Sequence, residues 1–328
     1  MNEPRLDDGL SKAEIRMDAR QFLGTVCRAG GADCPLICAE EAASIRERTL
    51  ADPTVTIQLL SDADEAPHYS RLTDEHYAAR DPEVVLNRKR DLDVLQRLGL
   101  VPGSIRRARY LYELLFQRIE TPWGICAWDT PGWEGCPLAT GGAYERMREA
   151  GWKQFVYDRT KEEKADYRAR NEEVIATGDR IFIRPHHMMC LACGWSGGEV
   201  DRSRPNDTLW EILQRMRAEP DVPVTLVEGV CSACDCCDGY HPETGRCVHG
   251  GGLIRDYKKD LDLFQRLGMM PGDTMPAREL WELLFATIHS TTEICGYGND
   301  ELTAHEWSIC SGPGGNSGYL KTRERGVF

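Results

Sequence analysis

The chain has no run of about 18 apolar residues, so no segment of it reads as a membrane-crossing helix. Its first residues, MNEPRLDDGLSKAEIRMDAR, lack the apolar stretch of a secretory signal, which sets the expectation of a cytoplasmic protein. Positive charge is in deficit, with 40 Lys and Arg against 53 Asp and Glu and a formal net charge of −13. That balance argues against a broad phosphate-binding surface and against nucleic acid as the main partner. No Ser-His-Asp order, dinucleotide fingerprint or paired-carboxylate motif stands out. The stretch GPGGNSGYLKT also lacks the spacing of a Walker A loop.

Cysteine is what the chain has in plenty, 14 in 328 residues. In a reducing compartment, clustered cysteines bind metal or do redox chemistry more often than they form disulfides. Isolated ones can equally be small buried hydrophobes.

The chain is long enough for two domains, and it repeats itself. Residues 87–119, NRKRDLDVLQRLGLVPGSIRRARYLYELLFQRI, align without gaps to 256–288, DYKKDLDLFQRLGMMPGDTMPARELWELLFATI, with 18 of the 33 pairs identical. The match carries Cys126 onto Cys295 and, further on, Cys136 onto Cys310, Tyr144 onto Tyr319 and Arg148 onto Arg323. Upstream, Cys27 falls near Cys190. The organisation expected is a tandem pair of α+β units, an N-terminal repeat over 1–152 and a C-terminal, cysteine-rich repeat over 178–328. The charged stretch 153–177 reads as a helical linker.

RIFIRP and PVTLVEG have the short β-branched pattern of strands. DTLWEILQRMRAE predicts a capped helix with Leu209, Ile212, Leu213 and Met216 on one face. In the repeated block, Leu111, Leu114, Leu115 and Ile119 form an apolar helical face, as do Leu280, Leu283, Leu284 and Ile288. These leucines are core.

All fourteen cysteines are candidate metal ligands. The first half has Cys27, Cys34, Cys38, Cys126 and Cys136. The second has Cys190, Cys193, Cys231, Cys234, Cys236, Cys237, Cys247, Cys295 and Cys310. Thiolates are soft ligands that suit zinc or iron–sulfur centres. CSACDCC is poor zinc-knuckle spacing, and four thiolates per cluster is the demand of a 4Fe-4S centre. Ligand number and softness therefore favour iron–sulfur over zinc. Nine cysteines suffice for two cubes or a larger assembly, and five for one.

The second half also resembles a family of small prokaryotic proteins, the domain of unknown function numbered 1284. The likeness lies in IRPHHMMCL, VTLVEGVCSAC, RCVHG and the helix pair beginning RDYKKDLDLFQRLGM, over about residues 180–295. It implies iron–sulfur binding, with Cys190, Cys231, Cys247 and Cys295 as the ligands, and no particular reaction. Cys234, Cys236, Cys237 and the duplication depart from that pattern.

Four residues are candidates for chemistry beside a cluster: His186 and His187, placed with Cys190 and Cys193 at a strand end, and Tyr240 and His241 in the GYHPE turn. The histidines either supply protons or contact a ligand, or one makes a structural hydrogen bond while the other is exposed. The loop and helix carrying Gly314, Gly315, Tyr319 and Arg323 are a candidate cofactor-binding element, since glycines let backbone amides approach an anion or a cluster sulfide. The leading expectation is an oxygen-sensitive iron–sulfur protein of anaerobic metabolism, passing electrons to a redox partner protein or acting on a small-molecule substrate. Its rivals are a metal-stabilised binding module without turnover, holding zinc or a structural cluster, and a redox sensor.

Overall fold

In the computed structural model, which describes residues 13–61, 81–198, 205–249, 253–295, 307 and 316–328, helix and strand are mixed in each of two units, Met1–Asp158 and Arg159–Phe328.

The first unit opens with β1 (Ile15–Asp18), whose alternation buries Ile15 and Met17. Its partner β2 (Thr56–Leu60) runs parallel, with Ile15 opposite Ile57 and Met17 opposite Leu59. Parallel pairing needs a long return path, supplied by α1 (Ala19–Ala29) and α2 (Ala39–Ala51). The helix α3 (Pro82–Leu98) starts where the Asp81 carboxylate accepts from the Glu83 amide. It stops at Gly99, whose φ of +68° suits glycine. β3 (Ile105–Arg107) pairs antiparallel with β2, followed by α4 (Ala108–Arg118), a 3-10 turn at Pro137–Thr140 and α5 (Ala143–Ala150). The expected apolar face of α4, from Leu111 to Ile119, is buried in the core of this unit.

The second unit begins with α6 (Lys161–Thr177) and then has β4 (Ile181–Ile183), α7 (Pro185–Trp195), α8 (Leu209–Ala218) and β5 (Pro223–Leu226). A small hairpin follows, β6 (Tyr240–His241) with β7 (Arg246–Cys247), then α9 (Leu253–Leu267), β8 (Thr274–Pro276), α10 (Ala277–Thr287), α11 (Thr292–Cys295) and α12 (Ser317–Arg325). Its three-stranded sheet has the order β4-β5-β8, parallel and then antiparallel, as in β1-β2-β3. Ile212, Leu213 and Met216 are buried and Leu209 packs half-buried beside them, as periodicity predicts. Leu280, Leu284 and Ile288 are buried, with Leu283 partly so.

Three expectations need correction. The residues around His186 and Cys190 do not end a strand; they form a helix, because Pro185 occupies its first turn, where a fixed φ and a missing N–H cost nothing. The charged stretch expected as a linker supplies α6, which belongs to the second unit and buries Asn171 and Ile175 there. The counterpart of Cys27 is Cys193 and not Cys190. Each is the ninth residue of its helix, counted from the equivalent N-caps Asp18 and Arg184. Each also lies close to the tyrosine of the C-terminal helix in its unit, Tyr144 or Tyr319.

Candidate metal centre

A cavity of about 550 Å³ in the second unit gathers six cysteines: Cys190, Cys193, Cys234, Cys237, Cys247 and Cys295. Helix α7 contributes one wall. Its residues three and four apart share a face, so His186, His187, Cys190 and Cys193 all reach the cavity. The segment between β5 and α9 contributes further lining. Its backbone turns every three residues, with the Cys234 amide donating to the Cys231 carbonyl and the Cys237 amide to the Cys234 carbonyl, both at 2.8 Å. That rhythm brings Cys231, Cys234 and Cys237 to one side. Cys236 falls out of step and is buried outside the cavity lining, near Arg168.

Helix α6 and Arg159, two residues before it, fasten this segment down. The Asn171 amide donates to the Ser232 carbonyl, Arg159 Nη1 donates to the carbonyls of Asp235 at 2.6 Å and Cys237 at 3.2 Å, and Lys164 pairs with Asp238. The Thr208 hydroxyl joins at Ser232, 2.8 Å away, while Asp207 takes over as the acceptor that caps α8.

Within the site the tightest group is His187, Cys231 and Cys234, whose donor atoms lie within 4.8 Å of one another. His187 Nδ1 is 3.1 Å from Cys231 Sγ, and the two sulfurs are 3.8 Å apart. Two thiolates on one tetrahedral ion, with bonds of about 2.3 Å, stand about 3.8 Å apart, so this corner has the spacing of a single-ion site. A second group forms around His249, with Nε2 3.6 Å from Cys237 Sγ and Nδ1 3.6 Å from Cys247 Sγ.

Buried charge organises the wall behind the histidines. Asp260 is wholly buried, and Arg184 Nε donates to its Oδ2 at 2.7 Å. The His186 amide reaches Oδ1 at 3.0 Å and His186 Nδ1 reaches the same oxygen at 2.7 Å. A carboxylate only accepts, so Nδ1 carries the proton in that bond. Burial would raise the Asp260 carboxyl, but the hydrogen bonds from His186 and the charge of Arg184 outweigh it and hold the group below its ordinary value.

Burial, with repulsion from His187, lowers His186 to about 4, and burial beside Arg184 lowers His187 to about 4, so both rings are neutral at pH 7. A neutral imidazole is the form that binds metal. In the close pair, Cys231 is lowered against the pull of burial, because Cys234 and backbone amides donate to it, and Cys234 is raised well above the ordinary thiol value. Burial pushes Cys237 up to about 12. Arg184 Nη2 is buried with no hydrogen-bond partner among the described residues, and Arg184 feels the charge of Cys231 and Cys234. An orphaned guanidinium N–H beside a group of thiols suits an anionic occupant.

The first unit has its own, smaller cysteine chamber of about 20 Å³, lined by Cys27, Cys34, Cys126 and Cys136. Cys38 is apart from it, exposed at the N-cap of α2, where its sulfur accepts from the Glu41 amide at 3.4 Å.

Of the other expected site residues, Tyr240 lines the large cavity, whereas His241 is buried elsewhere with Nδ1 2.9 Å from the Thr244 hydroxyl. Tyr319 and Arg323 bond to the scaffold. The Tyr319 hydroxyl donates to the Ile288 carbonyl and Arg323 Nε to the Phe285 carbonyl, both at 2.9 Å. Tyr144 and Arg148 make the same bonds to Ile119 at 2.9 Å and Phe116 at 3.0 Å, so this Tyr/Arg pair ties the C-terminal helix of each unit to its scaffold. Cys310, Gly314 and Gly315 lie outside the described residues. Of the four ligands implied by resemblance, Cys190, Cys247 and Cys295 line the cavity, and Cys231 contacts His187.

Sequence reasoning passed over His249, Arg184, Asp260 and the α6 clamp. The spacing Cys247-x-His249 and the identity of Asp91 with Asp260 in the repeat were signals for two of these. Compared with protein-family models, with curated proteins and with solved structures, the chain matches none.

Proposed function

We propose that the second unit is an iron–sulfur domain whose cavity holds a 4Fe-4S-type centre, used for electron transfer or for redox chemistry on a small molecule. The observation that carries this reading is the convergence of six thiols on a cavity of about 550 Å³, far more room and more sulfur than one ion uses. When bound, such a centre supplies one-electron chemistry and, at an iron without a protein thiolate, a place for a small ligand.

The residues around it have separate tasks. Cys190, Cys193, Cys234, Cys237, Cys247 and Cys295 are the thiolates available to hold it. Arg184, Arg255 and Lys259, all at the cavity, offset their negative charge. His186 keeps its Nδ1 proton on Asp260, so that ring is held in one tautomer and one orientation. The partner class is a redox protein or a small molecule, in a reducing compartment such as the cytoplasm, where free thiols persist.

The chain is a fused pair of copies of one unit. The identical sheet order and the repeated Tyr–carbonyl and Arg–carbonyl bonds support this.

One observation favours a second reading. The 3.8 Å sulfur separation at Cys231 and Cys234, with His187 beside them, fits a single zinc ion with an open fourth position. Anaerobic purification followed by iron, acid-labile sulfide and zinc analysis decides between the two. The iron–sulfur reading expects about four or more irons with matching sulfide, reduced in Cys193→Ser and Cys295→Ser. Zinc in one-to-one amount without sulfide rejects it. His187→Ala separates the readings further, because it removes zinc under the second and leaves iron and sulfide in place under the first.

A further inference from the structure

We propose that the first unit carries an iron–sulfur centre of its own, held by Cys27, Cys34, Cys126 and Cys136, saturated with protein thiolate and closed to substrate. Four of the five first-unit cysteines meet in one chamber although they come from distant places in the chain. Cys27 is on α1, Cys34 in the loop after it, Cys126 beyond α4, and Cys136 at the cap of the 3-10 turn. The rest of the lining is apolar, with Leu23, Leu36, Pro122 and Leu138 among it.

The backbone on which the thiols sit is held by two arginines and by itself. Arg28 Nη2 donates to the Cys34 carbonyl at 2.6 Å, Arg90 Nη2 to the Cys126 carbonyl at 3.2 Å, and the Cys136 amide to the Cys126 carbonyl at 2.8 Å. Arg90 is 2% exposed, a positive charge built in where thiolates would gather. Without metal, burial and mutual repulsion raise Cys27, and burial raises Cys126 to about 12. Such groups ionise when a cation binds among them.

Sulfur spacing points to the class of metal. Among the described residues, no three of these four sulfurs lie within 4.8 Å of one another, whereas one tetrahedral ion needs thiolates about 3.8 Å apart. A four-iron cube holds each thiolate on a different iron, and so holds them wider.

The comparison with α7 explains the fourth ligand. A side chain built at Gly24 would stand 3.3 Å from the Cys34 sulfur, and Gly24 occupies the helix position that Cys190 has in the second unit. Cys34 thus delivers its sulfur from a loop to the place that Cys190 serves from the helix. Four thiolates on four irons leave no iron open to a substrate. Its role is then electron relay or structural support.

The test uses the full chain, purified without oxygen. Cys34→Ser is expected to lose about four irons and as many sulfides per chain, while Cys38→Ser loses none. Full iron in Cys34→Ser overturns the proposal. A second variant guards against simple misfolding of the first: Cys193→Ser/Cys295→Ser, with the first unit untouched, is expected to retain about four irons and four sulfides. No iron in that variant, or zinc in its place, also overturns the proposal. Failure of the second-unit reading looks different, since iron would then be lost in Cys34→Ser and unchanged in Cys193→Ser/Cys295→Ser.

Discussion

Four thiols in the first unit close around about 20 Å³, and six in the second surround about 550 Å³, although the helices and strands beneath them correspond. The difference comes from a few replacements. At the N-cap and second turn-opening position, Asp18 and Arg20 stand where the second unit has Arg184 and His186. The buried aspartate they serve, Asp91 or Asp260, is the same in both. In the first unit Arg20 reaches Asp91 and also Asp18, whereas in the second Arg184 and His186 share Asp260. Exchanging the cap and the partner keeps the buried charge satisfied and turns an imidazole toward the site. A scaffold interaction and a site interaction are thus made by one carboxylate, and only the second unit uses it for both.

The largest test of this contrast is to remove the carboxylate from each unit. Asp260→Ala leaves Arg184, 4% exposed, and His186 without their shared acceptor, with an expected loss of about 3–5 kcal/mol. Asp91→Ala is expected to cost about 1–2 kcal/mol, because Arg20 keeps Asp18 at 2.6 Å and is partly exposed. Urea unfolding of both variants measures the difference, and equal losses would break the comparison.

Acid is expected to affect the metal-free units in opposite senses. His186 and His187, held at about 4 against an ordinary 6.5, make the folded second unit bind fewer protons than its unfolded chain. Its stability is full above pH 6.5 and declines as pH falls toward 4, by on the order of 3 kcal/mol for each histidine. Asp91 is pushed up to about 6 by burial, against Arg20, from an ordinary 3.8. Its contribution is full below that ordinary value and is lost as pH rises through about 6. Hydrogen-exchange protection of α7 should therefore fall between pH 6 and 4 while that of α1 rises. A parallel response of the two helices would count against the assigned charge states.

The smallest expected effect is also the most symmetrical. Tyr144→Phe and Tyr319→Phe each remove one buried hydroxyl–carbonyl bond, worth about 1 kcal/mol, and should leave iron, sulfide and zinc content unchanged. A change in metal content on Tyr319→Phe alone would return that residue to the site.

Much of the architecture was legible in the linear chain. The leucine faces of α4 and α10, the strands at RIFIRP and PVTLVEG, and the gapless 33-residue match follow from periodicity and identity between neighbours in sequence. The cysteine inventory was legible too, because residue type alone carries ligand softness. What sequence could not rank was which thiols share a chamber. Cys34 and Cys38 are four residues apart, yet one lines the first-unit chamber and the other caps a helix in solvent, a choice made by the turn that Arg28 holds.

Tertiary structure alone decided the register of Cys27 with Cys193, the delivery of Cys34 to the place of Cys190, and the use of α6 as a clamp. Each depends on contacts between segments tens of residues apart, such as Asn171 with Ser232 and His186 with Asp260. Local sequence fixes a helix through bonds within a turn or two of itself. A ligand set is fixed by where the helices are packed, and packing is settled by burial summed over the whole unit.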